Sequence, residues 1–252
     1  MTEPHPAQPF IRQAETLRLG GRLAEAAAAY ADLLAKWPDL PDSWYNFAVV
    51  QRQMGRADDA LAAYQQALDR GVTRPEEVHL NRSVIYADIL RREDAAEAEL
   101  EAALRLNSHY VPAILNLANL KEQRGDRASA LSLYERVLNR DPRCFDALAR
   151  YAGLKPVEDG NDALVGELRA AIAGSASTPA EKANLGFALG KLLDGLGAYG
   201  EAFAAYEAAN RHSREGASRT TPYNRRRQER FVDELIRAFA PNGVHAAASS
   251  AP

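Results

Sequence analysis

One motif, written four times with a fifth, weaker copy, controls what this chain can fold into. Gly21-Arg-Leu-Ala-Glu-Ala26-Ala-Ala-Ala-Tyr30 returns as Gly55-Arg-Ala-Asp-Asp-Ala60-Leu-Ala-Ala-Tyr64 and as Gly125-Asp-Arg-Ala-Ser-Ala130-Leu-Ser-Leu-Tyr134. It appears again as Gly197-Ala-Tyr-Gly-Glu-Ala202-Phe-Ala-Ala-Tyr206, and the weak copy runs through Ala96 and Leu100. Ala26, Ala60, Ala96 and Ala130 are spaced by 34, 36 and 34 residues, and Ala202 follows 72 later, which leaves room for one divergent unit. A period this long means stacked supersecondary units, none of which can bury its apolar face alone.

The composition suits such a stack. Of 252 residues 49 are alanine, so much of the 46% hydrophobic content is too small to fill one thick core. Alanine loses no side-chain entropy in a helix and lets neighbouring backbones approach, which favours thin layers of close-packed helices. Glycine supplies the tight turn between two helices of a unit, and an aromatic residue one turn beyond the small crossing residue fills the gap to the next unit.

These residues and spacings resemble the tetratricopeptide repeat family over most of residues 7–216. The bulky residue near the start of each first helix is matched by Phe10, Trp44, Leu80 and Ile114, and the small crossing residue by Ala14, Ala48, Ala118 and Gly190, with Val84 the exception. The aromatic position carries Tyr30, Tyr64, Leu100, Tyr134 and Tyr206; closing prolines stand at Pro38 and Pro142. The resemblance implies an all-α fold, a right-handed superhelical α-solenoid of helix-turn-helix hairpins. The expected organisation is four repeats over 7–144, a degenerate hairpin over 145–178, a fifth clear repeat over 179–216, an amphipathic helix over 218–240 and a flexible tail or linker over 241–252. In the degenerate unit, Asp162 to Ala173 form the second helix, capped at Asn161 or Asp162, and Pro179 opens the next.

From about 146 to 240 the chain is also similar to the repeat region preceding the catalytic domain of bacterial TPR-containing sulfotransferases. The likeness lies in Phe187-Ala-Leu-Gly190-Lys191, then Asp194, Gly197, Ala202-Phe203 and Asn210. Beyond them come Tyr223, Arg225-Arg-Arg227 and an apolar stripe of Phe231, Val232, Leu235, Ile236 and Phe239. That family continues into a phosphate-binding loop, Pro-x-Arg-Ser-Gly-Thr, that these residues lack, so no sulfotransferase activity is expected of them.

Other chemistry is not assembled. One cysteine, Cys144, argues against a disulfide framework or a structural zinc site, and the five histidines have no paired spacing. Gly195-Leu-Gly197-Ala-Tyr-Gly200 has the letters of a dinucleotide fingerprint, but a helical segment precedes it where that motif needs a strand. No metal, cofactor or catalytic residues are expected. The N-terminus lacks the pattern of a signal peptide, no apolar run reaches membrane-spanning length, and a cytoplasmic location is expected. The formal charge of −3 makes nucleic acid an unlikely partner. A local exception spans 211–230, with seven arginines against two glutamates. There Arg219, Arg225, Arg226, Arg227 and Arg230 are a candidate anion or docking patch. Glu97, Glu99 and Glu101 are expected on a solvated helix face.

In the family, partner segments lie in the concave groove lined by the first helices. The resemblance places Tyr45, Asn46, Val49 and Gln53 there, then Asn81, Arg82 and Ile85, then Leu115, Asn116, Asn119 and Gln123. Amide side chains suit peptide backbone because each offers donor and acceptor. The lysine-and-asparagine clamp of chaperone co-factors is not reproduced, since Ile11, Glu15 and Val78 occupy three of its positions. The expected function is a non-enzymatic scaffold that binds a protein or peptide. The alternative is the recruiting region of a TPR-containing sulfotransferase.

Overall fold

A computed structural model describes residues 5–216 and 224–239. The described residues are helical throughout, with no strand among them. The helices pair in sequence: α1 (Gln8–Leu19) with α2 (Leu23–Lys36), α3 (Pro41–Gln53) with α4 (Ala57–Asp69), α5 (Pro75–Val84) with α6 (Glu93–Leu106), and α7 (Val111–Gln123) with α8 (Arg127–Leu138). α9 (Phe145–Leu154) and α10 (Ala163–Ala173) follow, then α11 (Pro179–Gly195), α12 (Tyr199–Gly216) and α13 (Arg225–Ala238). Each hairpin also packs on the next, which makes the chain an α-solenoid.

The motif residues do what their sizes dictate. Ala14 and Ala26, Ala48 and Ala60, and Ala118 and Ala130 are all fully buried, as are Tyr30, Tyr64 and Tyr134. Each tyrosine therefore fills space that the alanines alone leave open. Between the helices of a hairpin, Gly21, Gly55, Gly125 and Gly197 adopt φ between 71° and 77°, a left-handed conformation that costs glycine nothing. Pro41, Pro75 and Pro179 open α3, α5 and α11, where a missing N–H is harmless.

The degenerate unit is looser. α9 packs chiefly on α8 and α11 and only lightly on α10. Asp162 caps α10 by accepting from the Leu164 N–H at 2.8 Å. Of the expected terminal helix, residues 218–223 and 240 lie outside the described residues, as does the tail from 241.

The third hairpin departs from its neighbours. α5 continues through a π-helical turn, Ile85–Ile89, so this first helix covers ten residues plus five where α3 and α7 each cover 13. Pro75 follows Ala60 at the same interval as Pro41 follows Ala26, so the extra two residues of the 36-residue spacing lie inside the helix, not in the loop before it. The turn that ends it is wider by one residue. Its closing bond, Arg92 N–H to Tyr86 C=O at 2.7 Å, spans six residues, whereas Arg22 to Leu17, Arg56 to Gln51 and Asp126 to Lys121 span five. Arg91 occupies the glycine position there with φ of 54°.

Candidate functional site

The π turn corrects the sequence register. Counting back from Ala96 put Leu80 at the bulky position and Arg82 and Ile85 in the groove. Before the insertion the true register runs from Pro75, so the fully buried residue is Val78, while Leu80 is half-buried. Ile85 is fully buried against the core containing Ala48, Ala60 and Tyr64, and no partner can touch it. Arg82 lies between the second helices α4 and α6, donating to Gln65 Oε1 at 2.7 Å and pairing with Glu99 at 2.9 Å.

Two acidic residues expected in solvent are likewise committed. Glu99 joins His79 at 2.6 Å as well as Arg82, and Glu97 pairs with Lys121 at 2.5 Å and with Arg124. These pairs staple α6 to the first helices on either side of it. Only Glu101 of the three is largely exposed.

Of the remaining groove residues, Tyr45 is half-buried against the Tyr64 ring, donates to Glu77 Oε1 at 2.9 Å and accepts from Asn81 Nδ2 at 3.3 Å. It ties α3 to α5. Burial, then the Glu77 carboxylate, holds its phenol well above the ordinary tyrosine range. Asn46 lines a cavity of about 280 Å³ with Asp42, Tyr45, Thr73, Arg74 and Glu77. Val49 and Leu115 are half-buried against the core, and Gln53 is exposed.

Asn116, Asn119 and Gln123 converge on a second cavity, of about 230 Å³, between the first helices of the third and fourth hairpins. Asn116 donates to Pro112 C=O at 2.8 Å, and Asn119 Oδ1 accepts from the Tyr134 hydroxyl at 2.7 Å, leaving its Nδ2 donor available. The opposite wall is Ser83, Val84, Ala87 and Asp88, and Ala96, Leu100 and Leu120 complete the lining. Asp88, Ala87 and Ser83 were not singled out from sequence. The usable signal was Leu100, the one leucine in a series of tyrosines.

Among the arginine patch, Arg219 lies outside the described residues. Arg225, Arg226, Arg227 and Arg230 are exposed on the first turns of α13, where Arg225 pairs with Glu229 at 2.7 Å. The apolar stripe Phe231, Val232, Leu235, Ile236 and Phe239 is exposed as well. Gly195 ends α11, Gly197 makes the hairpin turn and Gly200 lies in α12, so the fingerprint letters belong to a helix-helix turn. Cys144 precedes α9 half-buried, and burial pushes its thiol up. Among the described residues no helix is long and apolar enough to cross a membrane.

Two family models, each described as Tetratricopeptide repeat, match residues 17–80 and 113–146. No curated protein matches the chain in sequence. Among solved structures, pilF of Pseudomonas aeruginosa is 18% identical, with TM-score 0.62 over 84% of this chain and 93% of its own. PilW, described as a widely conserved type IV pilus biogenesis factor, is 18% identical, with TM-score 0.59 over 90% and 99%. YrrB, described as a TPR protein with an unusual peptide-binding site, is 21% identical, with TM-score 0.51 over 66% and 84%.

Proposed function

We propose that this solenoid of tetratricopeptide repeats is a non-catalytic scaffold that binds an extended protein segment along the face formed by its first helices. The observation that carries the reading is the convergence of Asn116, Asn119 and Gln123 on one cavity, with Asn46 at a second cavity on the same series of helices. Amides with unused donors and acceptors can bond the backbone of an extended segment whatever its sequence, and the adjoining cavities take side chains. The peptide-binding site of YrrB, on the same fold, is in keeping with this use. We place the protein in a reducing compartment, the cytoplasm, on its single cysteine.

The test is capture of partners from the source cell's lysate by the intact chain and by an Asn46→Ala, Asn116→Ala, Gln123→Ala variant. None of these three side chains is in the buried core, so the variant keeps its helical circular dichroism. Partners retained by the native chain and lost by the variant support the reading; identical capture by both sinks it.

A second reading has one observation in its favour. The apolar stripe of α13 is exposed, and a following domain would cover it. This is what the recruiting region of a TPR-containing sulfotransferase requires. A strand followed by Pro-x-Arg-Ser-Gly-Thr encoded beyond codon 252 would support it, and a stop codon there would remove it.

A further inference from the structure

In the first, second and fourth hairpins, the residue twelve positions before the motif tyrosine carries a charge that lies beside the phenol. The Arg18 guanidinium lies beside Tyr30, Arg52 beside Tyr64, and Glu122 accepts the Tyr134 hydroxyl at 2.5 Å. The third hairpin keeps the charged residue and loses the ring. Asp88 stands twelve positions before Leu100, in the π turn, and has no ion pair or hydrogen bond to its side chain among the described residues.

Leucine is shorter than tyrosine by most of a ring, and the consequence is the cavity of about 230 Å³ that Leu100 and Asp88 both line. Ala96, Leu100 and Leu120 are the buried apolar part of its lining, Val84 and Ala87 are half-buried, and the Asp88 carboxylate, three amides and Ser83 complete it. An apolar cavity of about 150 Å³ is enough to hold benzene. π turns inserted in α-helices recur at functional sites, and this one carries the unmatched carboxylate.

We propose that this cavity receives a tyrosine side chain presented by the bound segment, its ring taking the place that Leu100 does not fill and its hydroxyl donating to Asp88. The incoming residue completes the third hairpin as Tyr134, donating to Glu122, completes the fourth. The assignment rests on the groove reading and adds to it the identity of one anchor residue. Phenylalanine fits the cavity but leaves Asp88 hydrogen-bonded to water alone, so the site discriminates between the two by a hydrogen bond to a charged group.

The intact ¹⁵N-labelled protein is titrated with N-acetyl-L-tyrosinamide and N-acetyl-L-phenylalaninamide. The side-chain amide signals of Asn116, Asn119 and Gln123 are expected to shift saturably, with the tyrosine amide bound about tenfold tighter. Leu100→Tyr supplies the ring from within and abolishes the shifts. Asp88→Asn alters an exposed carboxylate outside the core and brings the tyrosine amide down to the affinity of the phenylalanine amide. The proposal is overturned by absence of a saturable shift, by equal affinity of the native protein for both amides, or by undiminished binding to folded Leu100→Tyr. Should Leu100→Tyr not fold, the Asp88→Asn comparison alone decides. Segment capture that depends on Asn46 and Asn116, found alongside no tyrosine site, overturns this assignment and leaves the groove reading standing.

Discussion

The ring of Tyr206 on α12 lies directly over Gly190 on α11, with its Cε1 only 2.5 Å from where a Cβ on that glycine would sit. Four residues earlier, a Cβ on Gly186 would meet Ala209 Cβ at 2.9 Å. The last hairpin is therefore closed by glycines rather than by the alanines used elsewhere. Gly190→Ala must displace an aromatic ring that is itself packed beside Phe187, with ring centroids 6.5 Å apart. Overpacking of this kind costs about 1–3 kcal/mol, more than alanine's better helix propensity returns. Urea denaturation followed by circular dichroism measures it, and unchanged stability would show that α12 shifts freely.

Thr178 and Glu181 close a reciprocal cap at the start of the same hairpin. The Thr178 N–H and hydroxyl donate to Glu181 Oε2 at 2.7 and 2.8 Å, and the Glu181 N–H donates back to the hydroxyl at 3.3 Å. Thr178→Ala is expected to cost about 1 kcal/mol. The same bonds hold the Glu181 carboxyl below its ordinary 4.5, the Thr178 backbone N–H contributing most. The folded state thus binds this proton more weakly than the unfolded chain. The resulting stabilisation is complete above the ordinary value and is lost as pH falls through the lowered one. It is small, because the carboxylate is largely in water. Glu181→Gln should flatten the acid limb of the stability-pH curve; an unchanged limb would count against the cap.

The repeat made most of this fold legible, because alanine crossings, glycine turns and inward tyrosines each have one physical reason to recur every 34 residues. What stayed hidden lies in the third hairpin. A 36-residue spacing says that two residues were added, but not whether a loop or a helix absorbed them. Counting from Ala96 placed Arg82 and Ile85 in the groove, whereas the helix reaches them from Pro75. In the site itself, Asn116, Asn119 and Gln123 lie in a unit without an insertion and line one cavity, across which Asp88 faces them from the π turn. The letters Thr178-Pro-Ala-Glu181 spell a capping box as well as a proline start.

Arg91 takes the left-handed turn position that glycine holds at 21, 55, 125 and 197. A side chain there costs more than the entropy glycine brings to the unfolded state. Arg91→Gly is expected to raise stability by about 0.5–1 kcal/mol. The reverse experiment is Gly55→Ala, where no atom stands within 4 Å of the new Cβ, so that any loss, expected at about 1 kcal/mol, comes from the backbone alone. Equal and negligible effects at both positions would mean that the turns tolerate any residue.

The buried tyrosines differ in what their hydroxyls do, and their phenylalanine variants should separate accordingly. The single Tyr134 hydroxyl proton is shared between Asn119 Oδ1 and Glu122 Oε2, and removing it leaves this pair of acceptors one donor short, at a cost of about 1–2 kcal/mol. Tyr64 is buried as deeply, but its hydroxyl reaches no partner in good geometry although Arg52 lies beside it. Tyr64→Phe should therefore fall within about 0.5 kcal/mol of the native protein at neutral pH. At alkaline pH it gains an advantage. Burial pushes the Tyr64 phenol from 10 up to about 12, so the folded state holds its proton where the unfolded chain has released it. Native stability then declines as pH rises through that interval, and the Tyr64→Phe protein, having no proton to lose there, should decline less steeply in urea titrations at pH 9 and 11. A parallel decline in both proteins would assign the alkaline limb to other groups.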